Sequence, residues 1–314
     1  MAKAPDDPTP VSAAPAAVEQ RPWLPPWLSW TLIVGLGLFI WIWKPGQSVS
    51  PNGWRLLAVF LPCVLALMLQ PIAGGAAVLL AVLATVLVGA LDLTQALGGY
   101  VDPSVWLVLA AYFLSRAFIK TGLARRIALL FIRRLGHNTL GLSYALIASD
   151  TVLAGMIPSN AARVGGVMLP ITRSLAELYK SQPGPTAGLL GSFLMLALYQ
   201  ADVVACALFF TGQASNPLAA RQAAQITEQT AGSPFVLSYG SWLWFASVPA
   251  ILSLFLIPRL VYRLHRPEIS HTPEAAEFAR AELGRMGPLS SQERILAVLF
   301  AGICSLWIFG GPDM

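Results

Sequence analysis

Charge is scarce in this chain. Asp, Glu, Lys and Arg make up 11% of its 314 residues, where a soluble domain carries about 25%. That shortage, with 56% hydrophobic residues and a mean hydropathy of +0.66, excludes a disordered protein, a coiled coil and a water-soluble enzyme. Cysteine is sparse as well. Cys63, Cys206 and Cys304 each stand alone inside an apolar run, which argues against a disulfide framework or a thiolate metal site. The three histidines, His137, His265 and His271, lie at segment ends and form no ligand cluster, so no metal site is expected. No G-x-S-x-G, H-E-x-x-H, Walker or paired-Asp protease pattern occurs, and the chain is not expected to be an enzyme. The net charge of +5 would suggest nucleic acid in a soluble protein. Here the basic residues sit at the ends of apolar runs, which is a topology signal, and no nucleic-acid partner is expected.

Apolar runs of near-spanning length fill the sequence instead. They lie at about 27–43, 54–69, 72–91, 105–119, 187–211, 235–261 and 295–310. Lipid offers the backbone no hydrogen-bond partner, so such runs are helices. The fold class is an all-α polytopic membrane protein, with the lipid bilayer as its first partner. Trp27, Trp30, Trp41 and Trp43 are interfacial anchors. Residues 1–26 are rich in Pro and Ala and lack the apolar region of a signal peptide; a disordered cytoplasmic tail is expected.

Two shorter arms, 140–157 and 161–178, follow a basic stretch. With the N-terminus inside, the inner loops hold Arg125, Arg126, Arg133, Arg134, Arg259, Arg263 and Arg266, among others. The outer loops hold only Lys44, Arg55 and Arg221. Charge does not separate a re-entrant hairpin from two full spans. Arm content does: Ser143, Ser149, Asp150, Thr151, Arg163 and Arg173 are too polar for lipid contact, which favours the hairpin. Over 123–135, Leu123, Ile127, Leu130, Phe131 and Leu135 follow helical spacing, with Arg125, Arg126, Arg133 and Arg134 on the remainder. An amphipathic helix on the membrane surface is expected. A second surface helix is expected over 273–283, with Thr272 as N-cap, Pro273 in its first turn and Gly284 as its stop. Ser290 and Glu293 have capping-box spacing.

The stretch 157–166, Ile-Pro-Ser-Asn-Ala-Ala-Arg-Val-Gly-Gly, carries the most chemistry. Pro158 ends one arm, and the next begins at about Ala161. A broken helix inside a membrane protein can aim backbone N–H groups and a positive helix end at an anion. Ser159 and Asn160 add short polar groups. Arg163 adds a fixed positive charge suited to a carboxylate, and Gly165 and Gly166 would allow close helix approach. The competing reading is a plain loop with a snorkelling Arg163. A second break, 211–217, offers Thr211, Gly212, Ser215 and Asn216. It is either an unwound stretch facing the same cavity or an ordinary outer turn. Asp150 and Asp202 lie within apolar segments. Such carboxylates repel an anion, which favours structural or gating roles, Asp150 paired with an Arg and Asp202 neutral. Gln200 lies in the same run as Asp202, and Arg116 is read as a snorkelling or paired residue near the inner face.

At Ser159-Asn160 the chain resembles the divalent anion/sodium symporter family, closest to its bacterial citrate, tartrate and dicarboxylate antiporters and plastid 2-oxoglutarate/malate translocators. The landmarks are residues 117–123, 139–144, 157–166, 191–193, 214–218 and 286–290, in order and at the family's spacing, within a resemblance running from about 52 to 310. The resemblance implies the first half of an inverted-repeat, elevator-type transporter. Its re-entrant hairpin would bring a Ser-Asn-Thr motif to a substrate carboxylate. Ser159 and Asn160 match the first two motif positions; the third is Ala161, which lacks the hydroxyl. Arg163 matches the antiporter branch. Sodium-coupled relatives offer a further hydroxyl where this chain has Gly155. No cofactor is implied, and exchange is favoured over sodium symport. The substrate would be a di- or tricarboxylate bound by Ser159, Asn160, Ala161 and Arg163, in a homodimer of the bacterial inner membrane with a cytoplasmic N-terminus. The implied organisation is a tail (1–26), scaffold helices (27–120) and a surface helix (121–136). A transport region follows (137–263, hairpin 139–180), then a cytoplasmic arm (264–292) and the first helix of a second repeat (293–314). No second motif follows, so a fragment lacking most of that repeat is expected.

Overall fold

A computed structural model describes residues 24–43 and 49–309. The expected tail lies almost wholly outside them, as do Lys44 and the last five residues. The described chain is helical throughout, with one isolated β-bridge between Asn138 and His271. Three described helices are long and apolar enough to cross a membrane, or up to five if each of two bent pairs is one span.

The chain divides into two compact units, before and after residue 103. In the first, α1 (Pro26–Ile42) packs along α2 (Pro51–Leu69), which in turn meets α3 (Gly74–Leu87). The Trp54 indole donates to the Ile40 carbonyl at 2.7 Å. Trp27, Trp30, Trp41 and Trp43 are exposed. A short α4 (Leu93–Leu97) was not foreseen. Its signal is the spacing of Asp92 and Gln95, which form a complete capping box.

The second unit holds α5 (Pro103–Thr121), α6 (Leu123–Leu135), α7 (Thr139–Ala154), a wide π-helix (Ala161–Met168) continuing into α8 (Leu169–Leu178), and α9 (Gly191–Leu208). It closes with α10 (Ser215–Ala231), α11 (Tyr239–Leu264), α12 (Pro273–Met286) and α13 (Ser291–Phe309). Its core includes Phe118, Leu129, Ile132, Leu146, Leu153, Met168, Leu175 and Phe193. By contrast, α11 leaves Trp244, Phe245, Val248, Ile251, Leu252 and Phe255 exposed, an apolar face suited to lipid.

The helix over 123–135 forms within the expected bounds, but its inner face is turned. Leu123, Ala124, Ala128, Leu129 and Ile132 are buried, while Leu130 and Leu135 are exposed. The reason is protein packing: α6 contacts both α7 and α12. Arg126, expected on the polar side, is buried. Its guanidinium binds Glu293 (Nε–Oε1 2.7 Å) and donates to the Gly287 carbonyl at 2.9 Å, past the end of α12.

The arm helix α12 runs through Gly284 to Met286, so Gly284 is no stop; Gly287, with φ +67°, ends it. Nor does the Thr272 side chain cap α12. Its hydroxyl donates instead to the Gly136 carbonyl at 2.9 Å, because the segment before α12 docks on the start of α7. Thr139 N–H donates to the Ser270 carbonyl and Thr272 N–H to His137. At the end of α8, Tyr179 binds Glu274. Residues 139 and 179 are thus held by neighbouring stretches of one arm, so the chain between them runs out and returns. Ser290 and Glu293 form the expected capping box.

Candidate functional site

The out-and-back segment turns at residues 155–160. Its outward helix α7 has 16 residues, about 24 Å at 1.5 Å each, short of a hydrocarbon core of about 30 Å. The return begins as a π-helix, a rare geometry often found at functional sites. Ser159 anchors its first turn: its hydroxyl accepts the Ala162 N–H at 3.3 Å and its carbonyl the Arg163 N–H at 2.9 Å. Ser159 and Asn160 are half-buried and Ala161 is exposed. Asn160 Oδ1 is buried without a hydrogen-bond partner, so this amide has capacity its own protein does not use.

Arg163 is fully buried, and each nitrogen of its guanidinium donates within the protein. Nε donates to Asp150 Oδ1 at 2.7 Å, Nη2 donates to Asp202 Oδ1, and Nη1 donates to the Ile157 carbonyl at 3.3 Å. The exposed cation suited to a ligand carboxylate is therefore not what the fold presents. The plain-loop alternative of a snorkelling Arg163 fails too. Arg163 ties the turn at Ile157 to α7 and α9, and both carboxylates are paired with it. Gly165 and Gly166 do not serve close helix approach within the described chain. Both are exposed; Gly165 has open space, and Gly166 has only Ile119 near it. Gly155 does meet a neighbour: a Cβ there would lie 3.3 Å from the Phe209 ring. Arg116 and Gln200 are exposed.

The second break spans Phe209 to Ala214, earlier in the chain than the expected 211–217, because α9 ends at Leu208 and Ser215, Asn216 and Pro217 already belong to α10. Asn216 is a staple. Its Nδ2 donates to the carbonyls of Cys206 and Phe209, both at 2.9 Å, satisfying the end of α9. Its Oδ1 accepts from Gln213. Thr211 and Gly212 are buried, whereas Ser215 is exposed. Gly212 is required where it stands, since a Cβ would strike the Cys206 carbonyl oxygen. A narrow crevice is lined by Pro158 of the first break, Thr211 and Gln213 of the second, Pro217 in the first turn of α10, and Leu107, Val108 and Ala111 of α5. The two breaks therefore meet. Gln213, and the triad of Asp150, Arg163 and Asp202 as one unit, were not recognised from sequence. The spacing of 39 residues between Arg163 and Asp202 gives no local signal.

Among the described residues, no group of three or more His, Cys, Asp and Glu could hold a metal ion. The family described as the sodium:sulfate symporter transmembrane region matches residues 25–313. The chain is 39% identical over 276 residues to dicarboxylate transporter 1 of spinach chloroplasts, covering 88% of this chain and 48% of that protein. It is 34% identical over 284 residues to the inner membrane protein YbhI of Escherichia coli K12, covering 88% and 58%. An L-tartrate/succinate antiporter of E. coli O6:K15:H31 is 34% identical over 283 residues, covering 84% and 57%. The chain spans about half the length of the curated relatives it matches.

Proposed function

The chain belongs to the sodium:sulfate symporter family, and on that premise we propose that it forms part of a secondary transporter of organic anions. It exchanges di- or tricarboxylates, such as 2-oxoglutarate, malate, succinate or citrate, across a bacterial inner membrane, with its N-terminus in the cytoplasm. The relatives named for dicarboxylates, tartrate and succinate support this substrate class. One observation carries the site: a helix break inside the packed unit presents half-buried Ser159 and Asn160, whose hydroxyl and amide Nδ2 are donors suited to an anion. Ser159, Asn160 and the backbone at Ala161 bind one substrate carboxylate. Arg163 positions them by bracing the turn. Thr211 and Gly212 border the site, and Ser215 and Asn216 hold its outer wall.

The turn rides on a segment tied at both ends to the α12 arm, a body that can move as a unit. In an elevator cycle that body carries the anion, and the empty return is disfavoured, which makes the process an exchange. A second copy of the chain is the expected partner. Sodium symport is the alternative that the family's description favours. The Phe209 ring against Gly155, where sodium-coupled relatives place a hydroxyl, supports exchange instead. A half-transporter that inserts but does not transport is the third reading.

Liposomes holding the chain and preloaded with unlabelled dicarboxylate test the reading. Labelled dicarboxylate enters by counterflow without sodium if it holds. A strict sodium requirement would instead establish the symporter, and no uptake after confirmed insertion would establish the half-transporter.

A further inference from the structure

Asp150, Arg163 and Asp202 come from α7, the π-helix and α9 and meet in the packed interior; they are 1%, 0% and 7% exposed, Asp202 alone keeping an edge open. Fully ionised, the three carry one positive and two negative charges. The positive charge is shared: Asp150 and Asp202 each accept one guanidinium N–H. The second oxygen of Asp150 is buried and has no partner. A carboxylate oxygen left bare in such a place is costly, and two carboxylates in one site cannot both ionise cheaply. A proton on that oxygen removes the surplus charge and supplies a donor.

Few other groups face the triad. Asp150 interacts electrostatically with Arg163 and Asp202, and the Cys206 thiol of α9 lies beside the triad and Asn160. From α6, Arg125 and Arg126 turn away to Glu282 and Glu293. Arg259 of α11 binds Tyr144. The surplus negative charge therefore has no second cation among these neighbours.

We propose that the triad is a proton-binding site: one proton is held between Asp150 and Asp202, and it is taken up and released with the anion at the hairpin turn. The proton comes from water on the side where the anion enters and returns to water where the anion leaves, so no other reactant is needed. An anion bound at Asn160, three residues from Arg163, favours the neutral triad over the negatively charged one. By linkage the proton then strengthens anion binding equally. The coupling rests on the exchange reading above; the proton itself does not.

Infrared spectroscopy of the full chain near pH ~7 tests the proton directly. The carbonyl stretch of a protonated carboxyl is expected, and it is lost in both Asp150→Asn and Asp202→Asn. Each variant leaves Arg163 with one carboxylate, a neutral pair that should still fold. No such band in the unmodified protein, or a band that persists in both variants, overturns the proposal. If either variant fails to fold, titration of the unmodified protein decides: the band must fall as the pH rises, and a pH-invariant band overturns it. Binding of labelled tartrate tests the coupling. Affinity falls by up to tenfold per pH unit above the triad's titration, and Asp202→Asn flattens that slope. A band without dicarboxylate binding would refute the exchange reading and leave the proton site standing.

Discussion

The Tyr179 hydroxyl donates to Glu274 Oε2 at 2.8 Å, joining the end of the hairpin's second arm to the first turn of α12. The Tyr179 hydroxyl oxygen in turn accepts the Ala275 N–H at 3.1 Å. Burial, and then the Glu274 carboxylate, push the Tyr179 hydroxyl above its ordinary range. Backbone N–H donation at the helix start, and then Tyr179, hold Glu274 below its ordinary value. Tyr179→Phe removes the bond and is expected to loosen the arm. Thermal unfolding and proteolysis of the arm check it.

The sign of the pH effect follows from the direction of each shift. A lowered carboxyl stabilises the fold above its ordinary value and stops doing so as the pH falls through the lowered one. A raised Tyr stabilises below its ordinary value and stops as the pH rises through the raised one. Glu274→Gln should therefore lower the neutral plateau of the stability profile, measured as melting temperature against pH, and converge on the unmodified protein on the acid side, where the carboxyl is protonated.

Arg126 binds Glu293 and caps α12. Arg126→Ala leaves a buried carboxylate without its cation, and a loss of about 3–5 kcal/mol is expected. Glu293→Gln should cost less than Arg126→Ala. Melting temperatures unchanged from the unmodified chain in both variants would show that the pair is not what holds α6 to α13.

Gly212→Ala presses a methyl into the Cys206 carbonyl, at the carbonyl that Asn216 caps. Overpacking of this kind costs about 1–3 kcal/mol. The expected outcome is a lowered melting temperature with loss of transport. A variant as stable as the unmodified chain would mean that the break relaxes freely.

Arg163→Met leaves two buried carboxylates facing each other, whereas Asp202→Asn leaves one neutral ion pair. Arg163→Met should therefore be the more damaging, by several kcal/mol, and its loss should be eased when Asp202→Asn is added. A double-mutant cycle on melting temperatures reads this directly. Dicarboxylate exchange that stays intact in Arg163→Ala would contradict a bracing role as well as a binding one.

The helices were legible because their signals are local. The Leu123–Leu135 bounds follow from apolar spacing, the Ser290–Glu293 box from a three-residue offset, and the hairpin break from Pro158. The turned face of α6 was not legible, since what covers it comes from α12, more than a hundred residues away. Arg163 was singled out correctly as a charge at the break. Its engagement could not be read from sequence, because Asp150 and Asp202 reach it only through the packing of α7 and α9 around the turn. Asn216 shows the converse: an amide beside a Pro looked like ligand chemistry, and the fold spends both its N–H groups on the end of α9.

The most direct test of the account is equilibrium binding of labelled malate and 2-oxoglutarate to the purified chain with Asn160→Ala beside the unmodified protein. The account predicts at least a tenfold loss of affinity, about 1.4 kcal/mol, at an unchanged melting temperature. Unchanged affinity in a folded Asn160→Ala protein would contradict it, and would place the anion somewhere other than the hairpin turn.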